Sequence, residues 1–499
     1  MTKIDPAHVP VIVGVGQVND RPSDPFAGLD SLGLMAAAAR RADEDAGGGW
    51  LPRIDSLAVV DQISFRGLGD VSPALAQQLG ANPRFCSKTK YPMGTSPILL
   101  LHEAANRIAA GEIQVALVAG GEALRTAAQR AAAQAGGKAS DHNAMRAVTQ
   151  RATPDYRQRY GLAAPVDVYP LYENATRALW DQTLDEAQRE SAEIWARMSE
   201  VAAATESAWL RKRVSAEDVL AVSAENRPIA FPYTKLMVAN SSVNQGAAFL
   251  VASLGAALAH GAAEDRLVYV GRGAAADEPA DILKRDRYDR SPSMEISLLR
   301  TLELNELAAS DLDYAELYSC FPCMPKMARR AIGWPLERPV TVFGGLTFGG
   351  GPIGNYMSHA AACMVERLRE RGRHGFLFAN GGFATQSHSI VLTRDAARAL
   401  GAPQAFDFQA EADAARGPTP ELAPDYEGPA TIETYTLFYD RHGAVRSGVV
   451  VARNPQNARF LAKVTGDDAE TISFLTASAN QIGASGKATR AGEDIIWRM

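Results

Sequence analysis

With 499 residues the chain exceeds the usual size of one hydrophobic core, so two or more domains are expected. Hydrophobic residues make up 46% and charged residues 22%, an ordinary globular balance, and the formal charge of −6 argues against a dedicated nucleic-acid binder. Four cysteines, Cys86, Cys320, Cys323 and Cys363, are too few for a disulfide framework in so long a chain.

The opening residues, MTKIDPAHVPVIVGVGQ, lack the basic start and apolar stretch of a secretory leader. No apolar run reaches the roughly eighteen residues of a membrane span. A soluble cytoplasmic protein without membrane or nucleic-acid partners is the expectation. Val9 to Val18 reads as a buried strand, followed by an Ala-rich amphipathic helix from about Asp30 to Ala46. Ser56 to Gln62 reads as a strand, Ile98 to Ala110 as a helix, and Val115 to Gly120 as a strand ending in a glycine turn. That alternation predicts an α/β layered domain.

From Thr126 to Lys235 the apolar residues fall at helical spacing, which predicts a helical insertion. Its first part is basic: Arg125, Arg130, Lys138, Arg146, Arg151, Arg157 and Arg159 stand against Asp141 and Asp155. On pattern alone this is a solvated helical face. Strands return at Ala247 to Ser253 and Leu267 to Gly271, then at Tyr314 to Leu317 after a helix. The glycine-rich run Gly344 to Gly354 precedes a helix from Met357 to Arg369. Phe376 to Ala379 and Ser389 to Thr393 form a pair of strands around Asn380-Gly381-Gly382. Two strand-rich halves around a helical excursion imply a duplicated fold. After Gly401, Pro, Asp and Glu mark a linker. Ala430 to Tyr439 and Ala444 to Ala452 flank a hairpin signal at Asp440 to Gly443, and Arg459 to Val464 and Thr471 to Leu475 complete a small all-β barrel.

Three segments in order carry a resemblance. Arg107 to Glu112 followed by Val115 to Glu122 looks like the helix and strand after a thiolase nucleophile loop. Asn240-Ser241-Ser242-Val243-Asn244-Gln245-Gly246-Ala247-Ala248 is similar to the thiolase segment N-x-S-x-x-N-D-G-A-A. Gly344-Gly345-Leu346 with Gly350-Gly351-Pro352-Ile353-Gly354 is similar to G-G-x…G-H-P-x-G. The chain thus resembles the thiolase superfamily over residues 8 to 398, in its sterol-carrier-like branch. The added β domain makes it similar to the thiolase-like proteins of type 1.

The resemblance implies a five-layered αβαβα core of two duplicated halves, residues 1–125 with 236–260 and residues 261–400. It further implies a helical loop domain at 126–235, a linker at 401–425 and a β barrel at 426–499. It implies acyl-CoA substrates, with coenzyme A as carrier, no tightly bound cofactor and no metal, in a monomer or homodimer. In that frame Arg125, Arg130 and Arg146 become candidate ligands of the CoA phosphates, which suit charge-assisted hydrogen bonds.

The family's catalytic set is missing. The nucleophilic cysteine of C-G-S-G falls on Gly94, in Gly94-Thr95-Ser96-Pro97. The histidine of G-H-P is Gly351, and the second cysteine is Ala379. Ser96 is the hydroxyl nucleophile candidate there, although a serine without a visible His partner is more often a helix cap. Where sterol-carrier thiolases have H-D-C-F, this chain has Tyr318-Ser319-Cys320-Phe321, and Tyr356 and His359 follow the glycine-rich run. Tyrosines at these places resemble thiolase-like aldolases, which cleave β-hydroxyacyl-CoA without a cysteine. Tyr318 and Tyr356 would move protons if their pKa values were lowered locally. His359 or His388 would support them, and backbone amides at Gly94, Gly351 and Gly382 would hold the thioester oxygen. Three readings stay open. One is an acyl-CoA enzyme, acetyl-CoA acetyltransferase-like, that makes or breaks a carbon–carbon bond, with tyrosine-dependent retro-aldol cleavage as an alternative for its specific reaction and a packing role as the alternative for Tyr318 and Tyr356. The second is an acyltransferase acting through Ser96 or a displaced thiol. The third is a silent CoA-ester binder whose β domain meets a partner.

Cys320-Phe321-Pro322-Cys323 is a C-x-x-C motif, which reads as two semi-buried thiols. No further ligand stands at metal spacing, and no Lys-Ser/Thr follows the glycines to make a P-loop.

Overall fold

The computed structural model describes residues 5–135 and 154–499. Strands β1 (Pro10–Asn19), β2 (Ser56–Val59), β3 (Phe85–Lys88) and β4 (Val115–Ala123) build the first half of the core. The short β5 (Pro228–Ala230) and β6 (Tyr233–Thr234) follow the helical excursion, and β7 (Asn244–Ser253) returns to the core. The second half uses β8 (Val268–Asp277), β9 (Tyr314–Glu316), β10 (His374–Gly381) and β11 (Gln386–Thr393). β12 (Gly428–Tyr439), β13 (Val445–Arg453), β14 (Arg459–Thr465), β15 (Ser485–Ala491) and β16 (Asp494–Arg498) follow.

The duplication is written in the pairing. In the first half β2 lies parallel to β4, β4 antiparallel to β7, and β7 antiparallel to β1. In the second, β9 lies parallel to β10, β10 antiparallel to β11, and β11 antiparallel to β8. The halves meet where β1 pairs with β8 at Val11–Tyr269 and Ile12–Val268.

Helices complete five layers. Ser31–Asp45 covers the outer face of β1, β7 and β4, and Pro292–Leu304 covers β8 and β11. Between the sheets, Ser96–Ala109 packs against β1, β4, β7 and β11, and against Tyr356–Glu370. Burial on both sides explains why Ile98, Leu101, Ala105 and Ile108 are all fully buried on that helix. Small residues allow the close packing outside: a β-carbon on Gly16 would strike the Ala38 carbonyl of the outer helix.

Four elements depart from the sequence reading. β4 does not end in a turn at Gly120 but runs through Gly120-Gly121 to Ala123. Those glycines are extended and make room for Asn355 and for Leu34 and Met35. The excursion contains the long helices Pro165–Leu179 and Leu184–Ala204, yet it closes with the β5–β6 ribbon. The Pro- and acid-rich stretch after Gly401 is fastened to the core: Phe408 N–H donates to Ala275 O, and Ala275 N–H to Phe406 O. Within it Gln409–Ala415 is a helix against β8 and Pro292–Leu304. Thr471–Leu475, expected as a strand, lies in the helix Ala469–Leu475, because Asp468 caps it by accepting from Thr471 N–H.

The last domain is a closed five-stranded barrel in which β12 pairs with both β13 and β15, and β16 bridges β14 and β15. At one point β12 also pairs with β5, Phe438 opposite Ala230. Arg459, fully buried, ties barrel to core by donating to Leu283 O and Arg285 O at 2.6 Å each while pairing with Glu433. Among the described residues no helix is long and apolar enough to cross a membrane.

Candidate functional site

The site lies where the central helix Ser96–Ala109 begins, between the ends of β9 and β10. Gly94, just before that helix, is buried against two groups. A β-carbon there would overlap the Tyr318 hydroxyl and the Asn380 carbonyl oxygen. The phenol therefore fills the space that a side chain at residue 94 would enter, and no residue but glycine fits beside it.

Tyr318 follows β9 with φ of 49°, in the left-handed region that bulky residues avoid at a cost of roughly 1–2 kcal/mol. Its ring meets that of Tyr356 edge-on, with centroids 5.7 Å apart. Tyr356, on the first turn of its helix, donates to Glu316 Oε1 at 2.9 Å. The second carboxylate oxygen of Glu316 accepts from Thr341 Oγ1 at 2.7 Å and Val342 N–H at 3.2 Å. Burial pushes the Glu316 carboxyl up to about 7 despite these bonds. Tyr318 and Tyr356 are both raised, first by burial. The lowered values expected from sequence are reversed: both phenols stay protonated at neutral pH, and Tyr356 donates to Glu316.

Around this pair stand Cys320, Asn380 and Tyr169. Burial raises the Cys320 thiol to about 12, which makes it a poor nucleophile at neutral pH. Asn380 Nδ2 donates to Tyr169 Oη at 2.8 Å and lies 3.9 Å from Cys320 Sγ. Tyr169 Oη also accepts from Ala384 N–H at 3.0 Å and donates to Gly382 O at 3.2 Å.

The remaining residues singled out from sequence fall elsewhere or are engaged. Ser96 Oγ accepts from Met93 N–H at 3.0 Å and donates to Tyr91 O at 3.3 Å, closing the turn before its helix. Gly351 donates its N–H to Asn240 O at 2.8 Å, so that amide is spent on the loop rather than on an oxyanion. Gly382 is exposed at the β10–β11 corner with φ of 63°. His359 lies behind Phe343, stacked at 5.0 Å, and bonds Gln17 Oε1 through Nδ1 at 2.8 Å. Burial lowers it to about 3, so it stays neutral. His388 is not brought to the tyrosines. Its Nε2 meets His102 Nδ1 at 3.1 Å, and both rings stack on Phe406. His102 sits six residues along the helix from Ser96, about 9 Å at helical rise.

Of the arginines, Arg125 is exposed at the start of Leu124–Ala135. Arg130 donates to Pro25 O and Gly28 O at 2.8 Å each, which fixes it to a loop. Arg146 lies outside the described residues. Two clefts were not legible in the sequence. One of about 630 Å³ is walled by Gln17, Arg41, Ser207, Val342, Cys363 and Arg367. It adjoins, through Asn19 and Glu206, a second of about 580 Å³ with Arg21, Trp209 and Arg211. Among the described residues no group of three or more His, Cys, Asp or Glu is placed to hold a metal.

Residues 407–493 match the family described as the thiolase-like protein type 1 additional C-terminal domain. The whole chain superposes on a crystal structure of a monomeric SCP2-thiolase-like protein type 1 from Mycobacterium smegmatis. The identity is 30%, both chains are covered to 100%, and the TM-score is 0.83. The human mitochondrial 3-ketoacyl-CoA thiolase in complex with CoA shares the fold at 15% identity and TM-score 0.60, over 78% of this chain and 99% of that one. The Ltp2-ChsH2(DUF35) aldolase does so at 16% identity and TM-score 0.57, over 77% and 98%. No curated protein matches the sequence.

Proposed function

The chain belongs to the type 1 SCP2-thiolase-like proteins, and on that premise we propose that it cleaves the carbon–carbon bond of β-hydroxyacyl-CoA thioesters by a retro-aldol reaction without a covalent acyl-enzyme. The observation that carries this reading is the Tyr318 hydroxyl standing over Gly94, where a thiolase nucleophile would project. Thiolysis needs a thiolate at that place, and a phenol held protonated by burial is a proton donor instead.

In the proposed reaction the β-hydroxyl loses its proton, the Cα–Cβ bond breaks, and its electron pair moves to the α-carbon as a thioester enolate. The β-carbon leaves as an aldehyde or ketone. Tyr318 hydrogen-bonds the enolate and supplies the proton that turns it into the shorter acyl-CoA. Glu316, buried with its carboxyl near pH 7, accepts the hydroxyl proton by way of Tyr356, which already donates to it. Coenzyme A enters as carrier, and neither metal nor resident cofactor is needed for the electron balance. The likeness to a structure described as an aldolase is consistent with this chemistry, although at 16% identity it speaks to fold alone. Arg125, with Arg21 and Arg211 of the clefts, is the basic group assigned to the carrier phosphates. The relative's monomeric state is the assembly proposed here.

The test is a panel of β-hydroxyacyl-CoA and β-ketoacyl-CoA esters, incubated with and without free CoA and followed by mass spectrometry. Release of a shorter acyl-CoA plus an aldehyde or ketone without added CoA is the expected result. Cleavage of the keto esters only when CoA is supplied would overturn the reading in favour of thiolysis. Binding of every ester with no product would replace it with a silent CoA-ester binder.

A further inference from the structure

The hydrogen bonds of Tyr169 fix more than its own position. A phenol has one proton and two acceptor lone pairs. The Ala384 amide N–H is a certain donor to Tyr169 Oη, and the Gly382 carbonyl is a certain acceptor from it. With the phenol proton on Gly382, one lone pair remains for a donor. Asn380, 2.8 Å away, must turn its Nδ2 to that lone pair. In this orientation Gly382, Ala384 and Asn380 together use the phenol's proton and both of its lone pairs.

The consequence falls on the other end of the amide. Asn380 is 1% exposed, and its Oδ1 has no hydrogen-bond partner among the described residues. A buried acceptor left without a donor is costly, so such a group is ordinarily paired. Asn380 belongs to the wall of the site: its carbonyl oxygen packs on Gly94, its Nδ2 approaches Cys320 Sγ, and Tyr169 interacts electrostatically with Tyr318 and Cys320.

We propose that Asn380 Oδ1 is the acceptor for a hydroxyl of the bound thioester, and that it makes the site selective for β-hydroxyacyl over β-ketoacyl chains. A hydroxyl offers Oδ1 a proton, whereas a keto oxygen faces it with lone pairs only. Tyr169 is the positioning residue, because it holds the acceptor end of the amide toward the ligand. This assignment rests on the retro-aldol reading for the identity of the ligand, but its own evidence is the Tyr169 network.

Dissociation constants are measured by competition for three esters of one chain length: β-hydroxyacyl-CoA, β-ketoacyl-CoA and the saturated acyl-CoA. All are measured in a Tyr318→Phe background, so that cleavage does not consume the ligand. The hydroxy ester is expected to bind about tenfold tighter than the other two, the size of one net hydrogen bond. Asn380→Leu is expected to bring the three to within about twofold by weakening the hydroxy ester selectively. Tyr169→Phe, which frees the amide to flip, narrows the preference even where the leucine variant fails to fold. Equal weakening of all three esters in Asn380→Leu would overturn the assignment, since it would mean that Oδ1 serves only a buried water or the fold. Failure of the two readings is distinguishable. Discrimination lost with Asn380, while the parent protein with Tyr318 intact releases no aldehyde or ketone, supports this assignment and sinks the retro-aldol reaction. Cleavage with discrimination unchanged in Asn380→Leu does the opposite.

Discussion

The Tyr318 hydroxyl fills the place of a side chain at Gly94, lying 2.1 Å from where a β-carbon would stand. The ring carbon bearing the hydroxyl would lie only 2.7 Å from a β-carbon placed there. Gly94→Cys therefore does not convert the protein into a thiolase. The variant is expected to lose about 1–3 kcal/mol in denaturant unfolding, the usual cost of overpacking, and to show no CoA-dependent cleavage of β-ketoacyl-CoA. A stable variant with thiolase turnover would show that the phenol moves aside without cost.

Tyr318→Phe and Tyr356→Phe separate the two phenols. Each is expected to lower turnover of a β-hydroxyacyl-CoA by about 10²–10⁴-fold, the range for removing one proton-transferring group. Tyr356→Phe also deprives Glu316 of a donor, so its carboxyl rises further and the acidic limb of the pH–rate profile, where this base ionises, moves up in pH. A pH–rate profile of the residual activity checks this, and an unchanged limb would remove Glu316 from the reaction.

Glu122 and Glu316 are fully buried, and burial lifts both carboxyls from 4.5 to about 7. Because the folded values lie above the unfolded ones, their contribution is fully present below pH 4.5 and is lost as pH rises through 7. Each carboxyl accounts for on the order of 3 kcal/mol across that window. Unfolding free energies at pH 5 and pH 8 are expected to fall less steeply in Glu122→Gln than in the parent. Glutamine also replaces with a donor one of the two oxygens that accept from the Ile63 and Ser64 amides, so the slope with pH carries the test and the absolute level does not.

The His102–His388 pair has the opposite sign. Burial lowers His102 to about 4 and His388 well below its ordinary value. Both are neutral in the fold, so their contribution is present above pH 6.5 and is lost as pH falls toward 4. Acid sensitivity between pH 7 and pH 5 should therefore weaken in His388→Gln. Equal acid sensitivity in parent and variant would show that the pair relaxes instead of resisting protonation.

Much of the core was legible because its signals are local. β-branched runs marked the central strands, and three glycine- and asparagine-rich segments stood in a recognisable order. Tyr318 and Tyr356 were legible because they stand at places where other residues are expected. Glu316 was not, since a single acid after Tyr314-Ala315 reads like the polar end of any short strand, and only its burial with Tyr356 gives it chemistry. Asn380 was noticed as part of a turn, but its role depends on Tyr169, 211 residues away. The helix at Ala469–Leu475 misled because Thr471, Ile472 and Phe474 favour strands in isolation, and a single cap at Asp468 outweighs them.

Arg459 sets the grip of the barrel on the core. Arg459→Met leaves Glu433 without one of its two guanidinium partners and the Leu283 and Arg285 carbonyls without donors. Removing one member of so buried a pair costs about 3–5 kcal/mol. Calorimetry is expected to show the barrel melting ahead of the core, and limited proteolysis to cut within residues 401–425. A single unshifted transition would show that β5 and the helix Pro165–Leu179 suffice to hold it.

The pairing of Phe438 with Ala230 has a consequence for the order in which the protein is made. β5 and β6 leave the ribosome some two hundred residues before the strand that completes them. At about 5–20 residues per second this is a wait of roughly 10–40 s. Throughout it the ribbon presents an unpaired edge, and the helix Pro165–Leu179 lacks the β12 surface on which it packs. The nascent excursion is thus a natural client for a chaperone until the last segment of the chain arrives to seal it.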